Sequence, residues 1–344
     1  MLPSVFPEPR VFAPNTGEPS LRWGILAPGE IAHSFAQALR QHTAQRLIAV
    51  ASRSKERALA FARRFDVEAV HESYEALVAN PEVDVVYIAA PASEHVALGM
   101  LAIAAGKHVL IEKPLATDAT DARLLANAAR AGGVLLMEAM WSRYLPQASV
   151  IRTLVSDGVI GAPRGVVADH SQAVAFDPSH RLYRADLGGG ALLDLGIYPI
   201  QLDSMILGSP KGVTAIGGLA ESGVDAYCTV VLDHGTGVQS TVTTSILARA
   251  GSRATIFGGE GRIDIEGPHH VPTTLTLRDN SVRGPRLTWT DPTGLAFYDG
   301  LSWEATAVAT FVGEGRTESP LHTLDETVLI LETIDEARRQ LQNS

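Results

Sequence analysis

The chain has 344 residues, too many for one compact core and comfortable for two domains. Hydrophobic residues make up 46% and charged ones 19%, which excludes a disordered or collagen-like chain. The 28 Lys and Arg against 38 Asp and Glu give a net charge of −10, and the absence of any Lys/Arg run argues against nucleic acid as a partner.

Residues 1–20 hold five prolines and no helical or strand period, so an extended arm is expected, disordered or laid across a surface. No basic-then-apolar leader pattern is present, and no segment approaches the ~20 apolar residues of a membrane span. A single cysteine, Cys228, cannot form an internal disulfide, which fits a cytoplasmic protein.

From Leu21 the pattern becomes strand, turn, helix. Leu21–Leu26 reads as a buried strand, and a helix with Ile31, Phe35 and Leu39 on one side follows the turn Ala27-Pro28-Gly29. Further apolar strands are expected at 47–51, 83–90 and 108–111, separated and followed by helices that include 94–105 and 118–131. This alternation predicts a parallel sheet covered on both faces, with a ligand crevice at the carboxyl ends of its strands.

The first turn matches a dinucleotide fingerprint, G-x-G-x-x-G/A, except that Ala27 replaces the first glycine. Gly29 would let backbone approach a pyrophosphate, Ala32 would allow close helix–strand packing, and the helix start at Glu30 and Ile31 would offer N–H groups. The second strand ends in Ala51-Ser52-Arg53 with no carboxylate for a ribose 2′-hydroxyl. Arg53 can pair with a 2′-phosphate while Ser52 donates a hydrogen bond, so NADP is favoured over NAD.

Two segments carry the chemistry. Glu112-Lys113-Pro114 follows the strand at 108–111, which puts Lys113 where it could hydrogen-bond a reacting oxygen; the isomer of the Lys113–Pro114 bond stays open. Gly188-Gly189-Gly190 precedes a helix over 191–207 on which Asp194 and Tyr198, four residues apart, share a face. A carboxylate and a phenol beside a glycine turn suit a polyhydroxylated substrate. The loop 176–184 is polar, aromatic and basic, so it could close over substrate hydroxyls or a carboxylate, or equally be a surface loop. His269-His270 has no further ligands at metal-binding spacing, so no metal is expected.

After Arg143 the rhythm changes. A helix at 145–156 leads into Thr/Val-rich strands from about 212 to 290, with hairpins at 227–245 and 254–265, and then helices at about 299–313 and 324–341. A mostly antiparallel sheet covered on one face by these helices is expected.

Taken in order, Arg22–Ala32, Glu112-Lys113-Pro114 and Gly188–Tyr198 resemble the Gfo/Idh/MocA oxidoreductase family over about residues 21–340. Pro91–His95 and Met137–Arg143 agree, the latter being similar to the branch of dimeric dihydrodiol dehydrogenases and NADP-dependent xylose dehydrogenases. The resemblance implies an arm (1–20), a Rossmann NADP-binding domain (21–143) and a substrate-binding and oligomerisation α+β domain (144–344). It implies Lys113 at the reacting oxygen, Tyr198 as general acid or base, and Asp194 holding a substrate hydroxyl or orienting Lys113. Ala27, Gly29, Glu30, Ile31, Ser52, Arg53, Ala90, Pro91, His95, Glu112 and Lys113 would surround the cofactor. The implied activity is hydride transfer at a hydroxyl or carbonyl carbon of a sugar, cyclitol or cyclic diol by a homo-oligomer, dimer or tetramer. Alternatives within the same frame are a keto-sugar reductase, an NAD-dependent glycosidase and a non-catalytic nucleotide sensor.

Overall fold

The alternation of strand and helix is realised as a six-stranded sheet. In the computed structural model, which describes residues 2–343, β1 (Arg22–Leu26) leads into α1 (Glu30–His42), β2 (Arg46–Ala51) and α2 (Lys55–Phe65). Next come β3 (Ala69–His71), α3 (Tyr74–Val78), β4 (Val85–Ile88), α4 (His95–Ala104), β5 (His108–Glu112), α5 (Ala119–Gly132) and β6 (Leu136–Ala139). The strand order is β3-β2-β1-β4-β5-β6 and every neighbouring pair is parallel. The order reverses between β1 and β4, so a ligand crevice opens outside the carboxyl ends of those two strands.

The core explains why these segments fold as they do. α1 buries Ala32, Phe35, Ala36, Ala38 and Leu39, the face its helical spacing creates. Phe35 stacks on Tyr87 of β4 at 4.0 Å and leans on Trp23 of β1 at 5.4 Å. Ser54 caps α2, its hydroxyl oxygen accepting from the Arg57 N–H. Gly24 admits Leu77 of α3, since a Cβ there would lie 2.7 Å from that side chain.

Residues 295–328 belong to the same compact unit as Val11–Tyr144. The helix Leu301–Gly313 packs on α1, which corrects the expectation that it covers the antiparallel sheet. Nearly every side chain of that helix is buried, so no apolar stripe marks one partner face.

The other compact unit takes residues through Arg10, 145–294 and 329 onward. It holds α6 (Pro146–Ser156), β7 (Pro163–Ser171), α7 (Ile197–Leu207), β8 (Gly212–Leu219), β9 (Asp225–Gly235) and β10 (Val238–Ser245). The remaining strands are β11 (Ala254–Gly258), β12 (Gly261–Ile265), β13 (Thr274–Asp279) and β14 (Arg286–Thr290). Its eight strands run β14-β13-β12-β11-β7-β10-β9-β8, antiparallel throughout except for the β7–β10 pair. The sequence offers Asp233–Gly237 as the link between these two strands, but the hairpin between β9 and β10 is tighter. It turns on Thr236 and Gly237 alone, both at positive φ.

α7 crosses one face of this sheet over β7 and β10. The other face leaves Val167, Ile216 and Tyr227 exposed among threonines. Gln340 completes the β8 edge, its side chain accepting from the Ala215 N–H and donating to the Val213 carbonyl. The proline-rich arm carries no helix or strand among the described residues. The Arg10 N–H donates to the Ser149 hydroxyl, and Phe12 packs edge-on against Tyr144 and Phe311.

Candidate active site

The turn between β1 and α1 is built around Ala27. Its N–H donates to the Ala51 carbonyl at 3.0 Å, and its own carbonyl accepts from the Gly29 N–H at 2.7 Å. This geometry puts Ala27 in the left-handed region, φ 61, which glycine enters freely and alanine only at a cost of about 1 kcal/mol. The missing glycine therefore leaves the turn intact.

Gly29 is a different case. Its φ of −83 and ψ of −170 suit any residue, and a Cβ there would meet nothing nearer than the Ala89 carbonyl oxygen at 3.9 Å. The protein has no packing need for glycine at this position. What the glycine preserves is an open cradle at the N-terminus of α1, lined by backbone, which fits a pyrophosphate. Glu30 is exposed and Ile31 half-buried beside it.

At the end of β2 the Ser52 hydroxyl oxygen accepts from the Ser54 N–H, and Arg53 reaches out with 71% of its side chain exposed. Its guanidinium lies 3.3 Å from Glu94, an acidic neighbour the sequence reading did not single out. Ala90 and Pro91 form the loop after β4. His95 is buried, with Nδ1 2.8 Å from the Pro114 carbonyl and Nε2 2.9 Å from the Ala90 carbonyl. It thus ties the loops after β4 and β5 together through their backbones. Burial pushes its pKa below the ordinary histidine value, so the ring is neutral near pH 7 and donates to one carbonyl at a time.

Glu112, at the end of β5, accepts from the Tyr87 hydroxyl and, at 3.2 Å, from the Lys113 N–H. Lys113 itself is half-buried and its bond to Pro114 is cis. Glu304, on the helix Leu301–Gly313, is completely buried and neither carboxyl oxygen finds a hydrogen-bond partner among the described residues. Burial first, and the charge of Glu112 second, hold it well above the ordinary carboxylate range.

Asp194 and Tyr198 belong to the unit of the mixed sheet. The three glycines before them close a loop on itself. A Cβ at Gly189 would lie 2.6–2.7 Å from the carbonyl oxygens of Arg181, Leu182 and Arg184, and one at Gly190 would lie 2.4 Å from Asp225 Oδ1. Asp225 in turn accepts from the Leu192 N–H at 2.6 Å, and Leu192–Gly196 follows as a π-helical turn before α7. Such turns concentrate at functional sites, and this one carries Asp194.

Asp194 accepts hydrogen bonds from both terminal guanidinium nitrogens of Arg181, at 3.0 and 3.2 Å. Tyr198 is enclosed by histidines: His270 stacks on it at 4.4 Å with a 31° tilt, and His170 stands edge-on at 5.5 Å. His170 Nδ1 lies 3.0 Å from the Ser252 hydroxyl. His269, beside them, is fully buried, and burial pushes its pKa down to about 4. Of the His269-His270 pair, His270 thus packs on the candidate catalytic phenol, and His269 packs against the imidazoles of His170 and His270. His170, near the end of β7, carries no functional signal in the sequence.

Comparison with known proteins identifies two family domains in the chain. Residues 21–140 match the family described as an oxidoreductase family with an NAD-binding Rossmann fold, GFO/IDH/MocA. Residues 149–264 match the GFO/IDH/MocA C-terminal domain. The chain is 34% identical over 333 residues to trans-1,2-dihydrobenzene-1,2-diol dehydrogenase of Sus scrofa, covering 94% of this chain and 97% of that one. The Mus musculus enzyme of the same name is 36% identical with the same coverage. Among solved structures, a 3-ketoreductase from Actinomadura kijaniata in complex with NADP and TDP-benzene aligns with TM-score 0.81, 28% identity and 94% and 98% coverage of the two chains. An aldose-aldose oxidoreductase from Caulobacter crescentus, complexed with glycerol, aligns at 0.80 with 25% identity and the same coverage.

Proposed function

The chain belongs to the GFO/IDH/MocA oxidoreductase family, and from that premise we propose that it is an NADP-dependent dehydrogenase or reductase of a cyclic diol, sugar or cyclitol. It is an NAD(P)-dependent oxidoreductase acting at hydroxyl or carbonyl carbons of small polyols or sugars. The diol is supported by its dihydrodiol dehydrogenase relatives, which it matches over nearly their whole length. The ketoreductase of known structure supports a second reading, reduction of a keto-sugar by the same residues working in reverse.

The observation that carries the cofactor reading is the open cradle at Gly29. The backbone at the start of α1 would hold a dinucleotide there and Arg53 its 2′-phosphate, and that group would supply or accept the hydride. The remaining chemistry falls to the chain. Lys113 stabilises negative charge on the reacting oxygen, and Tyr198 gives that oxygen a proton in reduction or takes one in oxidation. His95 positions the loops that carry Ala90 and Pro114. Asp194 accepts a substrate hydroxyl.

We assign the protein to the cytoplasm as a homo-oligomer. The exposed face of the mixed sheet, with Val167, Ile216 and Tyr227, is the surface available to a second copy. Among the described residues no helix is long and apolar enough to cross a membrane. The deciding experiment assays aldoses, inositols, diols and keto-sugars with NADP(H) and NAD(H) in both directions by nicotinamide absorbance. Turnover of a diol or sugar with NADP(H) preferred is expected; turnover of none with either cofactor overturns the reading.

A further inference from the structure

We propose that Arg181, clamped to Asp194 by the glycine turn, restricts the substrate to one that presents an uncharged vicinal diol or hydroxyketone. The inference rests on the reading above that Asp194 and Tyr198 face the substrate.

The clamp is built from the backbone outward. Leu182 and Tyr183, which follow Arg181, are buried in an apolar cluster with Ala191, Leu195, Val224, Ala226 and Ile246. The Tyr183 hydroxyl donates to the Val174 carbonyl at 2.7 Å. The carbonyls of Arg181, Leu182 and Arg184 crown Gly189, so no larger residue fits beneath them. The backbone of Arg181 is thereby fixed while its side chain stays 63% exposed. Asp194, its bidentate partner, is 11% exposed and sits on the π-helical turn just ahead of Tyr198. The pair neutralises a nearly buried carboxylate and at the same time holds guanidinium donors out toward solvent.

Its chemistry points to a ligand class. The two charges cancel, and guanidinium donors lie side by side with carboxylate acceptors. A hydroxyl both donates and accepts, so two neighbouring hydroxyls can satisfy both partners, one donating to Asp194 and the other accepting from Arg181. A carboxylate or phosphate substituent would meet Asp194 as a like charge and find the Arg181 charge already compensated.

The test compares wild type, Arg181→Gln, Arg181→Lys, Asp194→Asn and Tyr198→Phe on trans-cyclohexane-1,2-diol, glucose and glucuronate. Arg181→Gln is expected to raise KM for the neutral substrates on the order of 10-fold, with cofactor affinity unchanged. Arg181→Lys keeps the charge without the fork and should recover only part of that loss; it also carries the test if the glutamine variant does not fold. Asp194→Asn should shift kcat/KM toward glucuronate over glucose by on the order of 10-fold. Wild-type KM in both Arg181 variants, or an unchanged glucuronate-to-glucose ratio in Asp194→Asn, overturns the inference while leaving the oxidoreductase reading standing if Tyr198→Phe is inactive. No turnover by the wild type with any substrate, despite bound NADPH, overturns both.

Discussion

The imidazole of His270 lies 4.4 Å from the phenol ring of Tyr198, tilted 31° from parallel, while His170 closes the edge of that ring. Two imidazoles thus fix the plane of the phenol. Ser252, in the left-handed region at φ 52, holds His170 through its hydroxyl, and its carbonyl accepts from the backbone N–H of His269, the residue before His270. Tyr198→Phe keeps every ring contact and removes only the hydroxyl. Turnover should fall on the order of 10²-fold or more with cofactor affinity retained, measured by steady-state kinetics and fluorescence titration. Unchanged turnover would remove Tyr198 from the mechanism.

Cofactor choice should reside in Arg53. Arg53→Ala is expected to weaken NADPH binding by about 1.5–3 kcal/mol and to leave NADH binding nearly unchanged. Glu94 competes for the same guanidinium. Glu94→Gln should therefore tighten NADPH by a few-fold, the worth of an exposed ion pair. Calorimetric titration with both nucleotides checks the pair of variants, and equal losses of NADPH and NADH in Arg53→Ala would sink the assignment.

The two alanine-or-glycine positions of the first turn should respond in opposite ways. Gly29→Ala meets open space and an allowed backbone, so stability should change by less than ~1 kcal/mol while both nucleotides lose affinity. Ala27→Gly relieves a left-handed alanine and should stabilise the fold by about 0.5–1 kcal/mol without harming binding. Thermal unfolding and nucleotide titration of each variant separate the two effects. A Gly29→Ala protein that binds NADPH normally would dismiss the cradle.

Local signals made much of this molecule legible. The β1–α1 turn could be read because strand, glycine and helical spacing lie within 20 residues of one another. β3 and α3 carry no readable signal, because three half-buried residues and a single helical turn leave no period to detect. The spacing marks a helix over Leu301–Gly313, yet burial on nearly all sides, Ser302, Glu304 and Thr306 included, leaves no single apolar stripe to say which sheet it serves. At the candidate site the missing information is non-local. Asp225 receives the N–H of Leu192, 33 residues away, and His170 and His270 come from distant strands and loops to one phenol. Nothing in the spacing of a single sequence encodes those meetings.

Asp225 also gives a pH dependence whose sign can be worked out. It is buried at the start of β9, and burial raises its pKa from 3.8 to about 6 despite the hydrogen bond from the Leu192 N–H. A carboxyl with a raised folded-state pKa contributes its full stability below the unfolded value. That contribution is lost as pH rises through about 6, because the folded state must then hold a buried charge. The cost is on the order of 3 kcal/mol by pH 7. Asp225→Asn still accepts from Leu192 and cannot ionise. Its melting temperature relative to wild type should therefore improve by several degrees between pH 4 and pH 7, with most of the change between pH 4 and 6. Parallel melting curves for the two proteins across that range would show that Asp225 titrates normally in the fold.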